Sequence, residues 1–155
     1  MSEYTYQIEP AGFAFLWFAV PIAVLLTALL IFIISTLYFS RNTVVTVSNA
    51  YIKIDGGFYG KNIPIATLQI EDAKIVNLLD EKEYDLKMKA FGVGISGYYS
   101  GWYNLNNGEK GFVNITKKRS VLYLPTTNEY TLLLSLKNTQ DFIRRIRASQ
   151  ARIHS

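Results

Sequence analysis

The chain contains no cysteine. That excludes a disulfide framework, a thiolate metal site and a cysteine nucleophile, and it leaves the redox compartment open. Histidine occurs once, as His154, beside the last residue. No Ser-His-Asp set can be assembled without it, so general acid–base and nucleophilic chemistry have little to draw on. Positive charge is missing from the start of the chain. Only Glu3 and Glu9 are charged before the first apolar run, so all 16 Lys and Arg lie beyond it, in a chain of net charge +4.

The widest gap in charge runs from Gly12 to Phe39. These about 28 residues, at a helical rise of about 1.5 Å, reach roughly 42 Å, more than the roughly 30 Å of a bilayer's hydrocarbon core. Val20, Ile22, Val24, Leu25, Leu26 and the run Leu29 to Ile34 make the stretch read as a transmembrane helix. A buried core helix of this kind would need a large soluble domain around it, and one domain's worth of residues remains. Met1 to Glu9 lacks the basic region of a secretory signal, and Ser35-Thr36-Leu37 is a poor cleavage site, so the segment is read as retained. Pro10 falls where a helix start tolerates proline. Trp17 and Phe18 at one end and Tyr38 at the other stand about 32 Å apart, the spacing of two aromatic belts. Pro21 is expected to kink the helix. No ionisable side chain lies in the span, which argues for an anchor rather than a transport path. Arg41 follows at once, then Lys53 and Lys61, a bias that places the domain in the cytoplasm.

After Arg41 the pattern becomes strand-like. Thr43 to Ile54 is rich in β-branched residues and ends at Gly56-Gly57, with Phe58 to Ile63 as the returning strand up to Pro64. Ile70 to Leu79 reads as a third strand. Tyr84, Leu86, Met88 and Ala90 alternate with Asp85, Lys87 and Lys89, as in a strand with one wet face. Tyr99 to Leu105 and Gly111 to Thr116 flank Asn106-Asn107-Gly108, a hairpin signal. Val121 to Leu124 and Tyr130 to Leu134 complete the strands. Asn138 is placed to cap a final helix, with Asp141 in its first turn and Phe142, Ile143 and Ile146 as an apolar stripe against Arg144, Arg145 and Arg147. The organisation is therefore a short acidic tail (1–10), a transmembrane helix (11–40), a mainly β domain closed by a C-terminal helix (41–149) and a tail (150–155).

Gly92-Val93-Gly94-Ile95-Ser96-Gly97 matches the dinucleotide-binding pattern letter for letter, but that pattern works only between a strand and a helix. Here Tyr98 to Tyr103 favours a strand, and Thr116-Lys117-Lys118 stands where the ribose-binding acid is required. The stretch is read as flexible backbone between two strands. Asp80, Glu81, Glu83 and Asp85 read as a solvated turn rather than a metal site, and Asn114-Ile115-Thr116 as a chance glycosylation triplet. Two basic clusters remain as candidate contacts to lipid or a partner: Lys117, Lys118 and Arg119 in a connection, and Arg144, Arg145 and Arg147 on the helix. Trp17, Phe18, Tyr38 and Arg41 are the candidate membrane-interface anchors.

From Tyr51 onward the chain resembles a bacterial pleckstrin-homology-like domain. The resemblance rests on Gly57-Phe58-Tyr59-Gly60, Ile63-Pro64, the glycine-rich run to Tyr98 with Gly101, Val121 to Thr126, Tyr130 to Ser135, and Asp141-Phe142-Ile143. It implies a strongly bent antiparallel β-barrel or sandwich of about seven strands, capped by the C-terminal helix and serving as a non-catalytic interaction scaffold. It carries over no binding residue. The basic pattern with which eukaryotic relatives hold phosphoinositides is not recognisable around Lys53 and Lys61. The expected function is a membrane-anchored module that binds a protein partner or assembles with itself. The alternative is a module that presses its basic clusters onto an anionic leaflet. No enzyme activity, cofactor, metal or nucleic-acid partner is expected.

Overall fold

A computed structural model describes residues 7, 12–56 and 59–153 of the protein. Glu3, Glu9, Pro10, Gly57, Phe58 and His154, all used above, lie outside the described residues. The chain divides into two compact units at residues 35/36.

The N-terminal unit is helical. A 3-10 turn, Phe13–Phe15, leads into α1, Leu16–Asn42, which begins in this unit and ends in the next. Pro21 lies inside α1 and does not interrupt it. Phe13–Phe39 is long and apolar enough to cross a membrane, with a mean hydropathy of 2.8; no residue of its 18-residue apolar window is buried, although Thr36 near its end is. At the far end Arg41 sits in the last turn, where a cation complements the helix dipole. The Asn42 amide donates to the Tyr38 carbonyl and the Thr43 hydroxyl to the Phe39 carbonyl (both 2.8 Å), folding both side chains back onto the last turn of the helix.

The second unit is a β-sandwich with a helix. One antiparallel sheet has the order β1-β2-β3: Val44–Val47, Tyr51–Asp55 and Lys61–Pro64. Along β2 burial alternates, with Ile52 and Ile54 inward and Tyr51, Lys53 and Asp55 outward, as period-2 geometry dictates for a sheet with one wet face. The strand returning toward Pro64 ends there and gives way to a 3-10 turn, Ile65–Thr67. The other sheet has the order β4-β8-β9-β7-β6-β5. Its strands are β4 (Lys74–Val76), β5 (Leu86–Ile95), β6 (Tyr98–Leu105), β7 (Lys110–Ile115), β8 (Val121–Pro125) and β9 (Thr131–Leu134). The two sheets do not close into a barrel. With nine strands among the described residues the layout is a sandwich, and β7 and β9 run parallel within the otherwise antiparallel sheet. Ile70 to Leu79 is not one strand but a 3-10 turn, Ile70–Asp72, followed by the short β4.

Two apolar clusters cover the two faces of the larger sheet. Between the sheets, Ile52, Ile54, Ile63 and Ile65 meet Phe112, Leu122, Leu124, Leu132 and Leu134. On the other face Leu78, Tyr103, Leu105, Val113, Ile115, Val121 and Leu133 pack together. Strands β8 and β9 are buried on both faces, which is why Val121-Leu122-Tyr123-Leu124 and Leu132-Leu133-Leu134 read as continuous apolar runs.

Helix α2, Thr139–Ile153, closes the first cluster. Phe142 and Ile146 are buried, Ile143 is half-buried against them, and Arg144 and Arg145 are exposed. The stripe read from spacing is the face that packs. Its last turns are also tied down, since the Gln150 amide donates to the Ile65 and Leu68 carbonyls (3.0 and 2.8 Å).

Candidate functional site at an open sheet edge

Strand β5 ends the larger sheet on one side. It is ten residues long, whereas the outermost strands β1, β3 and β4 have four, four and three. Its pairing with β6 is interrupted at two bulges, between Leu86 and Met88 and between Lys89 and Phe91, and is regular from Phe91 to Ile95. Bulges and outward lysines are devices by which proteins protect an edge from indiscriminate pairing. Large apolar side chains nonetheless stand in solvent here: Met88 at 62%, Phe91 at 65% and Ile95 at 39% exposure.

The glycine-rich run turns out to be the second half of β5 and the turn after it, not a flexible loop. Each glycine answers to a local constraint. Gly92 faces Gly101 across the ladder, and a Cβ on Gly101 would lie 2.5 Å from the Phe91 carbonyl oxygen and 2.6 Å from the Gly92 Cα. Gly101 also has a φ of 117°, which L side chains rarely adopt. At Gly94 the space a Cβ would take belongs to the Tyr103 hydroxyl, 2.7 Å away. Tyr103 uses that space to donate to the Val93 carbonyl (2.7 Å). Burial pushes the Tyr103 phenol up to about 12, so it stays a donor at any physiological pH. The dinucleotide pattern is thus a matter of strand packing, and no helix follows it.

Beside β5 a groove of about 470 Å³ is walled by Ala90 and Phe91 on β5, Trp102 on β6 and Tyr130 before β9, with Lys110, Asn128 and Glu129 at its rim. Trp102 meets Phe112 and Tyr130 edge-on, at 5.2 Å between ring centroids in both pairs. Lys61, from β3, lays its ammonium 4.0 Å from the Trp102 centroid and 4.1 Å from that of Tyr130. A cation over two ring faces is held by their quadrupoles. Burial lowers the Lys61 pKa, the mark of an ammonium drawn partly out of water. Tyr59 adds an edge-on contact to Phe91 (5.2 Å), so a wall residue of the groove is braced from behind.

The residues singled out from sequence lie elsewhere. Lys117, Lys118 and Arg119 sit in the connection between β7 and β8. Lys118 pairs with Asp85 at 2.7 Å, and the Lys117 backbone is tied to the Ser135 hydroxyl. On α2, Arg144 and Arg145 both hold Asp141 (2.8 and 2.7 Å), and Arg147 lies 3.5 Å from Glu71. The two guanidiniums hold the Asp141 carboxyl below its usual range. Four of the six basic candidates therefore already face a carboxylate. Trp17, Phe18 and Tyr38 are exposed along α1. In the acidic turn, Glu81 accepts from the Asn77 backbone (2.9 Å) and Asp80 from the Asn77 amide. Among the described residues no three His, Asp or Glu side chains converge as a metal site. Asn114 is buried within β7. Neither the groove nor the Lys61 contact was read from the sequence. Lys87 and Lys89 flanking Met88 were the available signal, since lysines on an apolar strand mark an edge.

A family described as Bacterial PH domain matches residues 43–150. No curated protein and no solved structure matches the chain. The match spans well over half of the chain and coincides with the helix-capped β-sandwich. The chain therefore belongs to the bacterial PH domain family, whose members are generally non-catalytic modules.

Proposed function

We propose that the protein is a membrane-anchored, non-catalytic interaction module that engages another protein, or further copies of itself, at the membrane surface. The observation that supports it best is β5: a long outermost strand carrying exposed Met88, Phe91 and Ile95 beside an aromatic groove. An unpaired edge and contiguous apolar surface are the two features by which a sheet takes a partner. The apolar helix supplies the anchor, and Arg41, Lys53 and Lys61 after it set the domain on the cytoplasmic side. The basic clusters support a lipid-surface role less well, because most of their charges have acidic neighbours within the domain.

A photoreactive amino acid at Met88 in the full chain, irradiated in native membranes, tests the reading. The expected result is a protein adduct from position 88 and none from Lys137, an exposed position before α2. Adducts to lipid alone, or equal yields from both positions, overturn it.

A further inference from the structure

We propose that β5 takes up an extended, acidic segment of another protein as an added strand, with one large apolar side chain of that segment seated in the neighbouring groove. The inference rests on the interaction-module reading above and names the chemistry of its partner.

Three observations converge. The first is main-chain geometry. From Phe91 to Ile95 the β5–β6 register runs without a bulge, so the outer side of this segment presents a regular row of donors and acceptors. Tyr103 occupies the Val93 carbonyl, but a carbonyl oxygen has a second lone pair, and the acceptor is not used up. The second is shape. The groove begins at β5 itself, because Ala90 and Phe91 form its near wall while Trp102 and Tyr130 form the aromatic lining. A strand laid along β5 directs alternate side chains to one face, and the groove is on that side of the sheet edge. Its volume falls within the range of sites that enclose bulky apolar groups.

The third is charge. Lys87 and Lys89 are exposed on β5, Lys110 stands at the groove rim, and the Lys61 ammonium lies behind the rings. Among the described residues none of Lys87, Lys89 and Lys110 has a carboxylate partner, and Glu129 is the one acid lining the groove. This differs from Lys118 and from Arg144, Arg145 and Arg147 on α2, which face their own acids. Lys110 lines the groove, whereas Lys87 and Lys89 stand on the other face beside Tyr99 and Tyr103. A strand that turns its apolar residues to the groove turns the intervening ones toward those lysines, which selects Glu or Asp there. The same lysines oppose a second copy, since pairing two β5 edges would crowd like charges along one seam.

The test uses the full chain in nanodiscs of neutral lipid and three fluorescent decapeptides. One alternates glutamate with valine around a central tyrosine, one replaces each glutamate with lysine, and one is the acidic peptide with alternate backbone nitrogens methylated. The acidic peptide is expected to bind, with the lysine peptide and the methylated peptide each weaker by about tenfold or more, as loss of charge complementarity or of strand hydrogen bonds requires. Lys89→Glu should weaken the acidic peptide and strengthen the lysine one. Phe91→Ala should weaken the acidic peptide without reversing the charge preference. Lys89 is exposed, so its variant keeps the test sound if Phe91→Ala folds poorly. Absent binding, equal affinity for acidic and basic peptides, or indifference to backbone methylation overturns the inference. So does a β5-linked homodimer revealed by disulfide formation in Lys89→Cys. If the Met88 adduct to a protein persists in that case, the inference alone has failed and the interaction-module reading stands.

Discussion

Strands β9 and β5 belong to the same sheet and could hardly be more different. In β9 every residue from Thr131 to Leu134 is buried, because β7 lies on one side of it, β8 on the other, and an apolar cluster covers each face. In β5 one side is open, and all ten residues are half-buried or exposed. The contrast shows how a sheet allots its positions. A run that is apolar on both faces is stable only in the middle, where nothing polar must be desolvated without a partner. A strand with lysines on one face and glycines in its second half can hold the edge. Stability accordingly resides in β9 and its neighbours, and the freedom to bind resides in β5.

The largest effect should come from emptying the centre. Leu132→Ala, or Phe142→Ala in the helix that seals the same cluster, is expected to cost about 2–5 kcal/mol, since neither site can collapse around the lost volume. Chemical denaturation of the full chain in detergent measures it. A loss no larger than that of an exposed edge residue would undo the contrast. Next is the seam that attaches β5. Gly101→Val places a Cβ against the backbone of Phe91 and Gly92 at a φ that disfavours it, and should cost about 1–3 kcal/mol. Proton exchange should then rise in β5 before it rises in β9, and a uniform rise would mean that the two strands open as one unit.

A smaller effect is expected from Tyr103→Phe, which removes the donor to the Val93 carbonyl, at about 0.5–1.5 kcal/mol. Its pH dependence sharpens the point. The Tyr103 pKa is raised to about 12 from an ordinary value near 10, chiefly by burial. The stability tied to its neutral form is fully present below the unfolded value and is lost as pH rises through the folded one. Tyr123, raised to about 12 by burial and by donation to Glu109, follows the same course. Following tyrosinate absorbance together with unfolding should place the loss between about pH 10 and 12, and loss beginning near neutrality would contradict it. Smallest of all, Met88→Ala should change stability by under about 0.5 kcal/mol, because its side chain stands in solvent.

What was legible locally follows from short-range physics. Asn106-Asn107-Gly108 turns β6 into β7, and Gly108 has the φ of 90° such a turn demands. Phe142 and Ile146 share the buried face of α2 because a helix repeats every 3.6 residues. Where the period was mixed, the sequence misled. Ile70, Val76 and Leu78 are all buried, but the 3-10 turn at Ile70–Asp72 breaks the alternation that one continuous strand would keep. The six-residue glycine pattern misled for another reason. The partners that make its glycines necessary, Gly101 and Tyr103, act across a ladder, and a ladder is not written in the spacing of one segment.

By itself the sequence determined most of the elements: an uncharged helix long and apolar enough to cross a membrane, strands of alternating or continuous hydrophobicity, and an amphipathic closing helix. Those properties are set by rise, period and the cost of exposing apolar surface, all of which act within about a dozen residues. Only the tertiary structure decided that β9 would slip between β7 and β8 and run parallel to β7, that Lys61 would cross from the small sheet to the rings of Trp102 and Tyr130, and that β5 would be left with an open side. Each of these joins residues far apart in the chain. Their pairing is selected by the total burial of both sheet faces at once, a quantity no single stretch of sequence carries.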